Sequence, residues 1–178
     1  MHFVFMGVSG SGKSSLARPV AERLGLPFAE ADAFHPEANI AKMSAGVPLT
    51  DEDRRPWLLS LAAWIAERER AGEHSVMACS ALKRSYRDLL RGGAPGVRFL
   101  HADGSDEVIA ERLARRTGHF MPAGLLASQR AALEPLGADE DGAVLDVSAP
   151  VDELVERAVG LVRAALAGQG GAAPTARR

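Results

Sequence analysis

Residues 3–15 are Phe-Val-Phe-Met-Gly-Val-Ser-Gly-Ser-Gly-Lys-Ser-Ser, and this stretch decides the fold. The apolar run at its start predicts a short buried strand, and the pattern over residues 14–24 predicts an amphipathic helix. Between them, the glycines, lysine and serine have the spacing G-x-x-x-x-G-K-[ST] of a phosphate-binding loop. Because strand, motif and helix follow in the required order, a flexible Gly/Ser loop is the less favoured interpretation.

Each residue type in this loop has a chemical reason. Glycines allow the backbone to bend so that successive N–H groups surround phosphate oxygens, and the helix that follows adds its partial positive charge. Lys13 can reach the β- and γ-phosphates, and the Ser14 hydroxyl can ligate Mg²⁺. We therefore predict binding of a nucleoside triphosphate together with Mg²⁺. The predicted nucleotide contacts in the loop are Gly7, Val8, Ser9, Gly10, Ser11, Gly12, Lys13, Ser14 and Ser15.

Length and composition restrict the class of protein. A chain of 178 residues suits a single domain, which we predict over residues 1–167, and the Gly/Ala-rich residues 168–178 are predicted to be a disordered tail. The formal net charge of −2 argues against a general electrostatic grip on nucleic acid or membranes. Cys79, the single cysteine, excludes an internal disulfide. With no signal peptide and no long apolar run, we expect a cytoplasmic enzyme.

Five short apolar runs alternate with helical patterns, which predicts an α/β fold with a parallel sheet covered on both faces. Thr50 to Asp53 has the pattern of a capping box at the start of a helix. In that helix Trp57 and Trp64 belong to an apolar stripe and are interpreted as core residues. The predicted strands are residues 3–6, 28–31, 76–80, 97–102 and 143–147.

Two carboxylates stand at the end of the second predicted strand. Glu30 and Asp32 are two residues apart, and on a strand this spacing places both side chains on one face. In a parallel sheet the carboxyl ends of the strands form the ligand-binding edge, where the phosphate loop also lies. Asp32 could accept the proton of an attacking hydroxyl, and Glu30 could hold Mg²⁺ through water. The alternative is that Asp32 caps the turn before Phe34.

Several cations are further candidates for a polar acceptor pocket. His35, Lys42 and Arg54 follow the second strand, and Arg54 could hold a substrate carboxylate with its planar guanidinium group. Lys83 and Arg87 lie after the third strand at the start of a predicted helix, where an anion could bind. Solvated surface charges are the alternative for all five residues, and the more common one for a basic helix face.

Arg112 and Arg116 are four residues apart and therefore lie on one face of a predicted helix. Phosphoryl transfer spreads negative charge over the transferring group, and a closing arginine can increase the rate by about 10³–10⁵. The alternative is an ordinary helix end at which cations complement the helix dipole.

Taken together, these stretches resemble the gluconate kinases, a family of carbohydrate kinases built on a P-loop fold. The phosphate loop alone is unspecific, but the lysine-methionine segment, the proline-tryptophan helix start and the Gly-His-Phe segment occur in the family's order. The resemblance covers residues 3–165. It rests on residues 6–15, 32–36, Asn39, Lys42, Met43, 46–54, 56–58, 79–83, Tyr86, Arg87, 118–120, 125–126, 128–129 and Glu134.

The resemblance implies a nucleoside-monophosphate-kinase-like three-layer fold with the parallel strand order 2-3-1-4-5 and a mobile lid over about residues 115–125. It also implies a homodimer that phosphorylates the terminal hydroxyl of D-gluconate with ATP, giving 6-phosphogluconate for the pentose phosphate pathway. The implied catalytic residues are Lys13, Asp32 and Arg116. The implied ATP contacts outside the phosphate loop are Arg112, Arg116, Ser148 and Pro150. The implied substrate contacts are Asp32, His35, Lys42, Arg54, Ser80, Lys83, Arg87, His119 and Gln129.

The chain departs from the family pattern at two positions. Glu30 stands where the family usually has aspartate, and Arg130 stands where an aromatic residue is common. Two alternatives to a gluconate kinase remain. A kinase for another small hydroxy acid, such as shikimate, should carry more arginine at the lid tip, where this chain has His119 and Phe120. A non-catalytic nucleotide-binding switch should bind ATP without acceptor-dependent turnover.

Overall fold

The computed structural model describes residues 1–114 and 123–169. Its five strands are all parallel and form one sheet in the order β2-β3-β1-β4-β5, as the family resemblance implies. The α/β fold predicted from the alternating apolar runs is therefore confirmed, and each strand boundary lies within two residues of its prediction. The strands are β1 His2–Met6, β2 Phe28–Glu30, β3 Ser75–Ala78, β4 Val97–Asp103 and β5 Gly142–Asp146.

Helices connect the strands and cover both faces of the sheet. A short 3₁₀ turn, Ala31–Phe34, directly follows β2. The described α-helices are α1 Lys13–Leu24, α2 Glu37–Ser44, α3 Asp51–Arg70, α4 Arg84–Arg91, α5 Asp106–Ala114, α6 Ala123–Ala132 and α7 Val151–Gln169.

The central strand β1 shows why the fold has three layers. Its side chains alternate between the faces of the sheet, and all five of its residues are buried. Phe3 and Phe5 belong to a core formed with α1 and α7, whereas Val4 and Met6 belong to a second core formed with α3 and α4. A strand buried on both faces explains the continuous apolar run at the start of the sequence.

Local signals account for several helix ends. The capping box of α3 is confirmed: the Asp53 amide donates to Thr50 Oγ1 at 3.2 Å, and the Thr50 amide donates to Asp53 Oδ2 at 2.9 Å. Helix α7 continues to Gln169, two residues beyond the predicted end of the domain at residue 167. Its last turns are rich in alanine, a strong helix former, and contain no proline to stop them.

The parallel arrangement brings the carboxyl ends of β1, β2 and β3 to one edge of the sheet. The phosphate loop, the 3₁₀ turn and the segment before α4 begin at this edge, so residues far apart in sequence can form one site there. In residues 1–114 and 123–169, no helix combines the length and the apolar character that crossing a membrane requires.

Candidate active site

The phosphate loop between β1 and α1 has a backbone that requires glycine. Gly7 has φ +141°, and a Cβ atom there would lie 2.6 Å from the Ala102 carbonyl oxygen and 2.7 Å from Ser11 Oγ. Gly12 has φ +89° at the residue before α1. Since both φ values lie where L side chains are disfavoured, the chain turns into the helix in a way that other residues would oppose.

The interior of this loop fits a phosphate group. Ser11 is fully buried, and its Oγ atom has no hydrogen-bond partner among the described residues. A polar atom buried in this way is costly unless a ligand or water satisfies it. The Gly7 amide donates to the Ser80 carbonyl at 3.2 Å, which fixes the loop against the end of β3. Amides at the start of α1 add further donors for an anion.

Ser14 and Glu30 are a pair of oxygen donors suited to Mg²⁺. Ser14 Oγ donates to Glu30 Oε1 at 3.1 Å. Burial raises the pKa of Glu30, while the hydrogen bond from Ser14 and the charge of Lys13 act in the opposite direction. Hydroxyl and carboxylate oxygens are ligands that Mg²⁺ accepts, and a cation there would favour the ionised carboxylate.

Asp32 lies in the 3₁₀ turn that follows β2, so the strand alternation used to predict a shared face with Glu30 does not apply. The charge of Asp32 nevertheless acts on Glu30, whose pKa it raises. Cys79 is fully buried, and burial raises its pKa to about 12. The charges of Asp32 and Glu30 also raise the pKa of that thiol, and the charge of Lys13 lowers it.

Trp57 of α3 supports the segment that carries Asp32. Its indole Nε1 donates to the Ala31 carbonyl at 2.7 Å, and the His35 ring stacks on it at a centroid distance of 4.3 Å. Burial lowers the pKa of His35, while the charge of Asp32 raises it and that of Arg54 lowers it. The sequence predicted Trp57 only as a core residue, and its stripe gave no sign of this second role.

The two candidate lysines are both held by carboxylates in the first turn of α3. Lys42 Nζ lies 2.6 and 2.8 Å from the oxygens of Asp53, and Lys83 Nζ lies 2.8 and 2.7 Å from those of Asp51. Tyr86 also donates to Asp51. These hydrogen bonds lower the pKa of both aspartates, with the lysine as the largest cause in each case. The capping box pointed to Asp53, but no sequence signal pointed to Asp51 as a lysine partner.

The structure does not support Arg87 as a substrate contact. Its side chain is completely buried, and its Nε and Nη2 atoms each donate to Glu140 at 2.7 Å. With its guanidinium group already engaged inside the protein, Arg87 cannot also hold a substrate. Its remaining hydrogen bonds go to the carbonyl oxygens of Ala81, Leu82, Glu134 and Pro135.

Arg112 lies between the phosphate loop and the loop that follows β5. Its guanidinium group donates to the Ser11 carbonyl at 3.5 Å and to the Val147 carbonyl. In that second loop, the Ser148 amide donates to Asp146 Oδ1 at 2.9 Å, and Pro150 immediately precedes α7. The structure therefore brings Arg112 close to the segment that the resemblance assigns to the adenine base.

Helix α6 contacts the phosphate loop directly. Gln129 Oε1 accepts a hydrogen bond of 2.6 Å from the Ser9 amide. The neighbouring Arg130 forms an ion pair with Asp103 at 3.0 Å, which fixes this part of α6 against the end of β4. The arginine that replaces the family's aromatic residue therefore has a structural role of its own.

The predicted lid is only partly within the described residues. Arg116 and His119, two of its candidate contacts, lie outside them, as do all of residues 115–122. The last three residues of the predicted lid, 123–125, form the start of α6.

A parallel sheet of order 2-3-1-4-5 with a phosphate loop after its first strand defines the chain as a P-loop kinase. The family model described as "AAA domain" matches residues 3–136. The crystal structure of a sugar kinase from Janibacter sp. HTCC2649 is similar, with 58% identity and a TM-score of 0.86, covering 91% of this chain and 94% of that one. Shikimate kinase from Aquifex aeolicus, at 15% identity and a TM-score of 0.58, shares the fold.

Curated relatives narrow the class. The gluconokinase of Gluconobacter oxydans is 56% identical over 137 residues, 77% of each chain. The thermoresistant gluconokinase of Escherichia coli K12 is 43% identical and covers 90% of this chain and 93% of its own. A gluconokinase structure from Sinorhizobium meliloti has 49% identity and a TM-score of 0.84, covering 97% of both chains. The chain belongs to the gluconokinase family.

Proposed function

We propose that this chain transfers the γ-phosphoryl group of ATP to the terminal hydroxyl of D-gluconate, giving 6-phospho-D-gluconate and ADP. The observation that carries the proposal is the position of Asp32 and His35 directly after β2, at the edge of the sheet where the phosphate loop begins. Trp57, three residues after Arg54 in α3, binds this segment through the Ala31 carbonyl and the His35 ring. This arrangement supports a carboxylate base and cations for a sugar acid beside the proposed triphosphate site. The family membership of the chain supports the same substrate.

The nucleotide would be held by the phosphate loop of residues 7–15, which includes Lys13, with Arg112 and residues 148–150 beside the base. Ser14, and Glu30 through water, would hold Mg²⁺. Held there, Mg²⁺ would neutralise part of the charge on the phosphate groups. The buried Ser11 hydroxyl and the close approach of Gly7 to neighbouring oxygens support a phosphate in this loop rather than a side chain.

The reaction is an in-line displacement to which the protein contributes position and charge. Asp32 orients the acceptor hydroxyl and takes its proton as the new O–P bond forms and the β–γ bridging bond breaks. Lys13 and Arg116 stabilise the negative charge that moves onto ADP. Arg54 and Lys42, with His35, Ser80, Lys83, His119 and Gln129, are the proposed contacts to gluconate, and their cations suit its carboxylate.

A coupled assay of ADP release tests the proposal, with gluconate, shikimate and no acceptor compared at equal ATP. We expect turnover that depends on gluconate. Turnover with shikimate but not with gluconate would overturn the substrate assignment. ATP binding without turnover on any acceptor would favour the nucleotide-binding switch.

Asp32→Asn tests the role of the base in the same assay. The loss of a proton acceptor should lower kcat by about 10²–10⁴, whereas the Kd for ATP should change by less than about twofold. Asp152→Asn, at an exposed position in the first turn of α7, is the matched control and should behave like the wild type. An equal loss of ATP binding and turnover in Asp32→Asn would indicate a structural role instead.

The homodimer and the cytoplasmic location stay predictions. Size-exclusion chromatography with light scattering tests the first, where a mass of about 19 kDa in place of twice that value would contradict it.

A further inference from the structure

A buried ion pair lies beside the loop that follows β3. The side chains of Arg87 in α4 and Glu140, near the start of β5, are 0% and 1% exposed and share two hydrogen bonds of 2.7 Å. Glu140 also accepts from Arg91 Nη1 at 2.9 Å and from the Gly137 amide at 3.0 Å. The pKa of Glu140 is lowered to about 2, with Arg87 as the largest cause. The pair therefore stays charged and fully hydrogen-bonded at any working pH.

This pair joins two segments that are distant in sequence. Arg87 Nη1 donates to the carbonyl oxygens of Ala81 and Leu82 at 3.2 Å each and to that of Glu134 at 3.1 Å. The Glu134 amide in turn donates to the Leu82 carbonyl at 2.8 Å, and its carboxylate accepts from the Arg84 amide at the start of α4. The segment that follows α6 is thus fastened to residues 79–83, which we call the acceptor loop.

The acceptor loop has a backbone that needs such support. Ala81 is fully buried and has φ +43°, the left-handed region that a residue with a Cβ rarely occupies. On one side of it, the Ser80 carbonyl accepts from the Gly7 amide of the phosphate loop. On the other side, Lys83 pairs with Asp51 of α3. A shift of this loop would move two proposed substrate contacts together, one of them next to the phosphate loop.

We propose that the Arg87–Glu140 pair is a positioning device, which holds the acceptor loop in its strained conformation so that Ser80 and Lys83 stay in place for the acceptor. Arg87 touches no reacting group and acts through the loop. The identity of the acceptor, D-gluconate, rests on the proposed function, whereas the effect of the pair on the loop does not.

The test uses Arg87→Lys, which keeps the charge but loses the forked geometry, and Glu140→Gln, which keeps the shape but loses the charge. Asp139→Asn is the matched control, because Asp139 binds Arg84 on the exposed rim of the same cluster with 70% of its side chain accessible. Amide hydrogen exchange of the acceptor loop is measured alongside the KM values for gluconate and ATP. Both core variants should exchange faster in the loop and raise the gluconate KM by about tenfold or more, since small misplacements near a reacting group are costly. The KM for ATP should stay within about twofold, and the control should match the wild type.

Other results would contradict either the positioning role of the Arg87–Glu140 pair or the proposed function. A lower melting temperature with unchanged loop exchange and unchanged gluconate KM would make the pair merely structural and overturn the proposal. Equal increases in both KM values would do the same, because they indicate general damage. If the wild type does not phosphorylate gluconate, the proposed function fails, and loop exchange alone then decides whether the pair orders the loop. If neither core variant folds, Glu134→Ala is judged by the same criteria, because it removes at an exposed position the carboxylate bound to the Arg84 amide.

Discussion

Replacing Trp57 with phenylalanine tests the contact that connects α3 to the 3₁₀ turn that contains Asp32. The indole Nε1 donates to the carbonyl oxygen of Ala31, the residue before Asp32, and the ring also carries His35 at 4.3 Å with an interplanar angle of 15°. Phenylalanine keeps an aromatic ring beneath His35 but cannot donate a hydrogen bond. The substitution therefore isolates the bond to Ala31, a residue with no exposed surface.

Two costs determine the magnitude. A buried carbonyl oxygen that loses its partner costs about 1–3 kcal/mol. The smaller ring leaves roughly 40 Å³ unfilled, which adds about 1 kcal/mol at about 24 cal/mol per Å³. The stacking contact with His35 is kept, so it does not contribute to the loss in the free energy of unfolding. The free energy of unfolding should therefore fall by about 2–4 kcal/mol.

Urea unfolding followed by far-UV circular dichroism measures this loss without depending on tryptophan fluorescence. Trp64→Phe is the control on the same helix: Trp64 is only partly buried, with Arg68 above its ring at 5.8 Å, and its loss should stay below about 1 kcal/mol. The value of kcat/KM for gluconate should fall in Trp57→Phe alone, because the backbone before Asp32 loses its anchor. Equal losses of stability in the two variants, or a loss below about 1 kcal/mol in Trp57→Phe, would refute the reasoning.

Three further predictions follow from the site and its surroundings. Gly7→Ala should abolish ATP binding in calorimetry, because its methyl group would collide with a backbone oxygen. The control Gly160→Ala on α7, with open space around it, should leave the free energy of unfolding unchanged or raise it by up to about 1 kcal/mol. Retained ATP binding in Gly7→Ala would contradict the prediction. Burial lowers the pKa of the four described histidines, which are His2, His35, His74 and His101. Their contribution to stability is therefore full above about pH 6.5 and is lost as the pH falls toward the lowered pKa values. The loss is at most about 1.4 kcal/mol per histidine and pH unit. Urea unfolding at pH 7.5 and 6.0 measures that loss, and equal stability at both values is the contrary result. Glu30→Gln should raise the Mg²⁺ concentration for half-maximal activity by about tenfold, with the gluconate KM unchanged, and an unchanged Mg²⁺ requirement would remove Glu30 from the metal site.

Features that depend on neighbouring residues were predictable. The phosphate loop, the capping box of Thr50 and Asp53, and the positions of the five strands all come from short stretches whose residues interact with one another. The strand order required the resemblance to a family, because apolar runs of similar length do not state which strand pairs with which. Asp32 was proposed on the assumption of a continuing strand, yet the chain had already turned into a 3₁₀ helix.

Features that depend on distant residues were not predictable from the pattern alone. Arg87 and Lys83 are both cations at the start of α4, and nothing local distinguishes them. Arg87 is buried because Glu140, more than fifty residues later, meets it inside the protein, whereas Lys83 stays at the surface with Asp51. Trp57 likewise has the spacing of a core residue, and only the folded chain brings it under the Ala31 carbonyl.

The sequence by itself determined that a phosphate loop stands between a buried strand and a helix, because thirteen consecutive residues contain every group that this local structure needs. The tertiary structure alone decided which charged side chains stay accessible at the surface and which are paired inside the protein. A buried charge is tolerated only when a partner neutralises it and satisfies its hydrogen bonds, and such partners come from wherever the fold places them.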